Sequence, residues 1–142
     1  MPAKLTPEEV NAFLDSRPGW LILTTIGGDG YPHSVPLGYL RLEDGIYIGS
    51  RTTTQRLNNV ERNHNVIQML ESGSTMADIK GVIIQGDATI IREPDEVLRL
   101  LREAGRRRGT PEDQLPTEPR PDVAYIRVTP RKVTSWDYSR DG

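Results

Sequence analysis

The chain has 142 residues, no cysteine, two histidines and a formal net charge of −2. Without cysteine, disulfides, iron–sulfur clusters, thiol catalysis and cysteine zinc sites are excluded. The slight acidic balance sets aside a general electrostatic pull toward nucleic acid. The length fits a single domain over residues 1–142, and a chain of this size buries roughly 70% of its unfolded surface without a covalent staple. His33 and His64 fall on different predicted elements, so no metal site is expected.

The amino-terminal stretch lacks an apolar segment of signal-peptide length, and no run approaches the ~20 residues of a membrane span. The expected setting is therefore soluble and cytoplasmic. Thr6-Pro7-Glu8-Glu9 carries a helix start, with a hydroxyl at the cap, proline at the first helical position and acids in the first turn. Val10, Phe13 and Leu14 form its apolar stripe, and Arg17-Pro18-Gly19 ends it.

Trp20 to Val66 reads as a three-stranded meander that empties into a basic, hydroxyl-rich loop and a short helix. The first strand, Trp20 to Ile26, has too few polar residues to be half exposed. The second, Tyr31 to Leu42, contains Pro32 and Pro36, which removes two ladder donors and places it at an edge or bulge. Backbone freed beside His33, Ser34 and Val35 can then pair with a planar ligand. Ile46 to Ser50 is the third strand; the turns are Gly27-Gly28-Asp29-Gly30 and Glu43-Asp44-Gly45. Tyr31, Tyr39 and Tyr47 read as strand packing.

Ser50-Arg51-Thr52-Thr53-Thr54-Gln55-Arg56 gathers two guanidiniums and four hydroxyls in seven residues. Such a loop suits a phosphate or similar anion. A helix from Thr54 through Asn63 follows, with Leu57 and Val60 inward, and its amino terminus adds free N–H groups to the anion reading. Val66 to Leu70 is a fourth strand and Gly81 to Arg92 a fifth, in which Gly86 marks a bulge or sharp bend. Glu93-Pro94-Asp95-Glu96 opens another helix with Val97, Leu98 and Leu101 buried; Arg106-Arg107-Arg108-Gly109 fits ordinary termination. Thr110 to Pro121 is a proline-rich surface loop. Val123 to Val128 is the last full strand, followed by a bend at Pro130-Arg131 and Lys132 to Trp136. Six mostly antiparallel strands with peripheral helices describe a small barrel.

This order of features resembles the split β-barrel family of pyridoxamine-phosphate-oxidase-like flavoproteins and their coenzyme F420-dependent relatives. The resemblance rests on Leu23-Thr24-Thr25, Asp29-Gly30, Pro32-His33-Ser34-Val35-Pro36, Ser50 through Arg56 with Asn59 and Asn63-His64-Asn65-Val66, and Gly81-Val82 to Gly86-Asp87-Ala88. Val133-Thr134-Ser135-Trp136-Asp137 resembles the small actinobacterial-type members in particular.

The resemblance implies a six-stranded FMN-binding split barrel and a homodimer with cofactor sites at the interface. It implies a flavin or deazaflavin ring along His33, Ser34, Val35 and Pro36, and a phosphate on Ser50, Arg51, Thr52, Thr53, Thr54, Gln55 and Arg56. Arg56 stands where family members commonly have lysine, which keeps the charge and adds a planar fork of donors. Trp136 is either a ring-stacking residue or a plug of the dimer or barrel. True pyridoxamine-phosphate oxidases carry a longer carboxy-terminal segment for the substrate phosphate, so vitamin-phosphate oxidation is not expected.

The expected activity is hydride transfer between reduced coenzyme F420 and a small unsaturated molecule, with FMN as the alternative cofactor. No catalytic side chain is singled out, because the cofactor itself carries the hydride. The further bases Arg51, Arg56 and Arg62 favour the deazaflavin with its acidic tail. A non-catalytic cofactor carrier is a second class of function. A nucleic-acid-binding barrel is a third, resting only on Arg106, Arg107 and Arg108.

Overall fold

A computed structural model describes residues 2–42 and 45–141. Glu43 and Asp44 of the predicted second turn lie outside the described residues. The elements are β1 (Pro2–Ala3), α1 (Pro7–Ser16), β2 (Leu21–Ile26), β3 (Pro32–Leu37), β4 (Leu40–Leu42), β5 (Gly45–Arg51), α2 (Gln55–Arg62), β6 (Asn65–Ser72), β7 (Lys80–Ile91), α3 (Pro94–Arg107) and β8 (Val123–Asp141).

All the strands belong to one antiparallel sheet of order β3-β2-β6-β7-β8-β5-β4, with β1 added to β8. The expected second strand is two strands, and they lie at opposite ends of that order. Only Gly38 and Tyr39 join them, and three Cα steps reach at most about 11 Å. Seven flat strands would hold those ends roughly 29 Å apart, from six spacings of ~4.8 Å. The sheet must therefore curl until its ends meet. Among the described residues no ladder joins β3 to β4; the chain alone links the two ends. Six strands become eight through this break and through β1.

The curl needs a bend device, and Gly86 supplies it. The β7–β8 register shifts between Gln85 and Gly86, whose partners are Lys132 and Pro130, so Arg131 is the extra residue. A Cβ on Gly86 would lie 2.4 Å from Val128 Cγ1, so no other residue fits without movement. The expected bend at Pro130-Arg131 is this bulge, and β8 runs on through it for 19 residues.

Inside the curl, Leu21, Leu23, Ile48, Leu57, Val60, Leu70, Ile84 and Ile126 make the main core. Helix α1 lies over one mouth with Val10, Phe13 and Leu14 buried. Its start is a full capping box: Thr6 Oγ1 accepts from the Glu9 N–H, and Glu9 accepts from the Thr6 N–H. Outside the wall, α3 covers β4, β5 and β8 through a second core of Leu40, Tyr47, Val97, Leu100 and Tyr125. Leu100, rather than Leu98 or Leu101, is the fully buried leucine, because it continues the stripe from Val97 at helical spacing. Trp20 and Tyr31 depart from the sequence reading: both flank strands and stand 70% and 75% exposed.

Candidate functional site

The predicted anion loop begins where β5 leaves the sheet. Ser50 is buried, its Oγ 2.8 Å from Thr54 Oγ1 and 3.1 Å from the Arg51 carbonyl. Thr54 caps α2, its Oγ1 accepting from the Leu57 N–H at 3.3 Å and donating to the Arg51 carbonyl at 3.1 Å. These two hydroxyls are thus spent on shaping the turn. Thr52 donates its N–H to the Asp122 carbonyl, and the exposed Arg51 guanidinium pairs with the Asp122 carboxylate at 3.0 Å. Thr53 and Gln55 are exposed, and the Gln55 amide donates back to Asn59 at 2.7 Å.

Arg56 differs from the other bases. It is half buried on the first turn of α2, and its Nε is buried with no hydrogen-bond partner. Burial alone, with no carboxylate to oppose it, pulls its pKa below the usual arginine value. The side chain stays cationic, and the fold holds a partly desolvated charge that lacks an acidic neighbour among the described residues. Buried polar atoms without partners are uncommon in folded proteins and call for an explanation.

A second such atom is Nδ1 of His33. His33 faces Thr25 across the β2–β3 ladder, and directly opposed residues share a face of the sheet. Thr25 is fully buried and accepts a 3.0 Å hydrogen bond from Asn59 Nδ2 of α2. Asn59 Oδ1 in turn accepts from Gln55 and from Arg62, the latter at 3.0 Å. One turn back from Asn59 along α2 stands Arg56. A single buried asparagine thereby ties the helix start that carries Arg56 to the rung that carries His33.

The four predicted ring residues divide between two faces. His33 and Val35 lie on the side of Thr25 and Leu23, toward the core. Ser34 and Pro36 lie on the outer side, where Ser34 Oγ meets Thr24 Oγ1 at 2.8 Å. Among the described residues strand β3 pairs only with β2, which leaves its far backbone edge unpaired there, as the two prolines led one to expect. Trp136 is not brought to this site within the chain. Its indole covers Gly81, where a Cβ would lie 2.3 Å from Trp136 Cζ2, and β7, β6 and β2 separate β8 from β3 along the sheet.

Sequence reasoning did not single out Thr25, Asn59 and Arg62 as positioning residues. The signal was an asparagine beside Val60 on the apolar side of α2. Arg62 also packs on the Gly27-to-Gly30 turn, where a Cβ on Gly28 would lie 3.0 Å from its guanidinium carbon. A groove of about 420 Å³ opens on the outer face beside Thr24, Ile26 and Ile67, flanked by the Arg131–Asp87 ion pair. A cavity of about 720 Å³ between α1 and β8 contains none of the predicted residues. Among the described residues no cluster fit to hold a metal occurs, and no helix is long and apolar enough to cross a membrane.

Comparison with known proteins follows the same lines. The fold is similar to that of the conserved hypothetical protein Rv2991 from Mycobacterium tuberculosis, at 27% identity and a TM-score of 0.81 over 94% of this chain and 86% of that one. A structure described as F420 reductase is 21% identical with a TM-score of 0.67, over 90% and 98% of the two chains. HutZ, the heme storage protein from Vibrio cholerae, is 19% identical with a TM-score of 0.72, over 97% and 100%. No curated protein matches the sequence significantly. The family description "Pyridoxamine 5'-phosphate oxidase" matches residues 6–137, nearly the whole chain and every element from α1 to Asp137 of β8, and the chain therefore belongs to that family of split barrels.

Proposed function

We propose that this protein is a homodimeric oxidoreductase that uses coenzyme F420, transferring hydride to a small unsaturated organic molecule. The observation that carries the reading is Arg56, a half-buried guanidinium with an unpartnered Nε at the start of α2. A phosphate oxygen is the natural acceptor for such a fork, and the capped helix start adds backbone donors of the same polarity. His33 brings a second unpartnered nitrogen to the neighbouring rung. The free edge of β3 offers the donors and acceptors that a tricyclic ring edge requires.

When bound, the reduced cofactor supplies the hydride; the chain's part is to hold, orient and keep water away. Arg56 holds the phosphate, Thr54 and Ser50 keep the turn open toward it, and Asn59 keeps α2 in register with β2. The outer face supports the homodimer. Ile22, Ile26, Ile67, Met69 and Ile83 are only half buried there, and a second copy would cover them. Trp136 then acts at the partner's site or as a plug of the interface.

One observation favours FMN as the second reading. Arg51 is paired with Asp122 and Arg62 with Asn59, which leaves Arg56 as the unpaired base of the three, and FMN has one phosphate and no acidic tail. Exposed ion pairs are worth ~0–1 kcal/mol, so Arg51 can be recruited by an acidic tail at little cost.

The test is titration of cofactor-free protein with reduced F420 and with FMN, followed by sedimentation equilibrium and turnover against enones and quinones. Micromolar or tighter F420 binding by a dimer, with oxidation of the bound cofactor, is the expected result. Binding of neither cofactor would sink the proposal; tight binding without turnover would make the protein a carrier.

A further inference from the structure

Side chains strap helix α1 to the sheet along its length. The Leu5 N–H just ahead of it donates to Ser135 Oγ of β8 at 2.8 Å, and Glu9 pairs with Arg140 at 3.0 Å. Near its end Asp15 and Asn11 accept from Arg41 at 3.1 and 2.7 Å. These straps hold the helix across the barrel mouth without drawing its whole face down. Between α1, the start of β5 and the part of β8 beyond the bulge, a cavity of about 720 Å³ remains. Interiors are otherwise packed to crystal density, and a space of this size is in the range of small-molecule sites.

Its floor is aliphatic. Leu5, Val10, Leu14, Ile46 and Ile84 are all buried there. Val133 extends that surface: it stands opposite Ile84 across the β7–β8 ladder and shares its face, yet it is 46% exposed where Ile84 is 2% exposed. The inward face of β8 therefore runs on as bare aliphatic surface past the bulge. No described lining residue is aromatic, so a ring would find no stacking partner. An alkyl chain would find apolar walls on both the helix side and the sheet side.

The open side is cationic. Lys4 and Lys132 line it, both exposed, and neither makes an ion pair or side-chain hydrogen bond among the described residues. Arg41, the third base of the lining, is committed to Asp15 and Asn11. Of the acids on α1, Glu9 is held by Arg140 and Asp15 by Arg41, and Glu8 lies off the lining. No Asp or Glu occurs among the described lining residues. An aliphatic floor thus meets an unneutralised positive rim.

We propose that this cavity is a second binding site, separate from the cofactor site, for an aliphatic carboxylate. The alkyl chain lies between α1 and β8 against Val10, Leu14, Ile84 and Val133, and the carboxylate stays at the rim between Lys4 and Lys132. Burial of the chain supplies most of the affinity, and the two ammoniums supply the preference for a negative head. Ammoniums are point charges without the planar fork that matches phosphate, so a singly charged head suffices.

The test uses full-length protein labelled with ¹³C at its isoleucine δ1 methyl groups and titrated with decanoate or decylammonium, which share a chain and differ in the sign of the head. Decanoate is expected to shift Ile46 and Ile84 saturably and to leave Ile22, Ile67 and Ile83 of the outer face unmoved. In low salt it should bind about tenfold more tightly than decylammonium. Salt at about 1 M should shrink that ratio, because the Debye length falls to about 3 Å. Lys4→Glu combined with Lys132→Glu should invert the preference while circular dichroism shows the fold intact. Saturating FMN or F420 should leave the decanoate titration unchanged, so this site stands or falls apart from the proposed cofactor. Absence of a saturable shift at Ile46 and Ile84, equal affinity for the two heads, an uninverted preference in the double variant, or displacement of decanoate by cofactor would each overturn the proposal.

Discussion

Replacing Arg56 with methionine keeps the alkyl stem and removes the guanidinium, and the structure assigns this one change two effects of opposite sign. In the cofactor-free protein Arg56 is a cost, because its Nε is buried without a partner. A buried unsatisfied polar atom costs about 1–3 kcal/mol; with part of the side chain in water, screening reduces this to about 0.5–1.5 kcal/mol. Arg56→Met should therefore raise the melting temperature of the free protein by roughly 2–6 °C. Toward a phosphate the same change removes a charge-assisted contact of about 1.5–3 kcal/mol, a 10- to 150-fold loss in affinity. At a ligand concentration of about one hundred times the wild-type Kd, the wild type gains about 2.7 kcal/mol, while a variant weakened thirtyfold gains about 0.9 kcal/mol. The stability order should then reverse. Thermal unfolding of both proteins with and without F420 or FMN reads all of this in one series. A variant that melts lower when ligand-free and binds both cofactors as tightly as the wild type would refute the reasoning.

Three other substitutions probe the frame around the site. Asp137 accepts from the Ser139 hydroxyl and N–H and from Arg140, with Lys80 Nζ at 3.9 Å; these partners, the Ser139 hydroxyl foremost, hold its carboxyl below the usual range against the opposing effect of burial. Its contribution is present above the unfolded carboxylate value of about 3.9 and is lost as pH falls through the lower folded value. Urea midpoints for Asp137→Asn should lie below wild type at neutral pH and converge with it in acid; parallel curves would refute the assignment. Gly81→Ala places a Cβ 2.3 Å from Trp136 Cζ2, and should destabilise by about 1–3 kcal/mol or more with a red-shifted indole emission. An unchanged midpoint would mean that the indole does not rest on Gly81. Gln68 is fully buried with neither amide atom bonded, so Gln68→Met should stabilise the cofactor-free protein by about 1–2 kcal/mol in urea denaturation. Destabilisation there would show that the amide has a partner in solution.

Local chemistry was legible because its causes are local. The Thr6 cap, the loop from Ser50 to Arg56 and the bulge at Gly86 depend on residue types within a few positions, and all three stand where the sequence puts them. Leu100 was missed because an apolar stripe of several leucines fits more than one helical phase until α3 meets β8. Trp20 was read as buried because hydropathy says how a residue partitions but not whether a surface is offered to it.

The chain by itself determined that a basic, hydroxyl-rich turn precedes a helix and that a proline-bearing strand precedes both. The tertiary structure decided which of those groups remain unpaired. Ser50 and Thr54 bond one another, Arg51 finds Asp122 seventy-one positions away, and Arg56 and His33 are the predicted site residues that keep buried atoms without partners among the described residues. It also decided that one predicted strand is two, because Gly38 and Tyr39 join the opposite ends of the sheet and force it to curl. Partners that lie far apart in sequence meet only through that curl, and no spacing of residues along the chain encodes it directly.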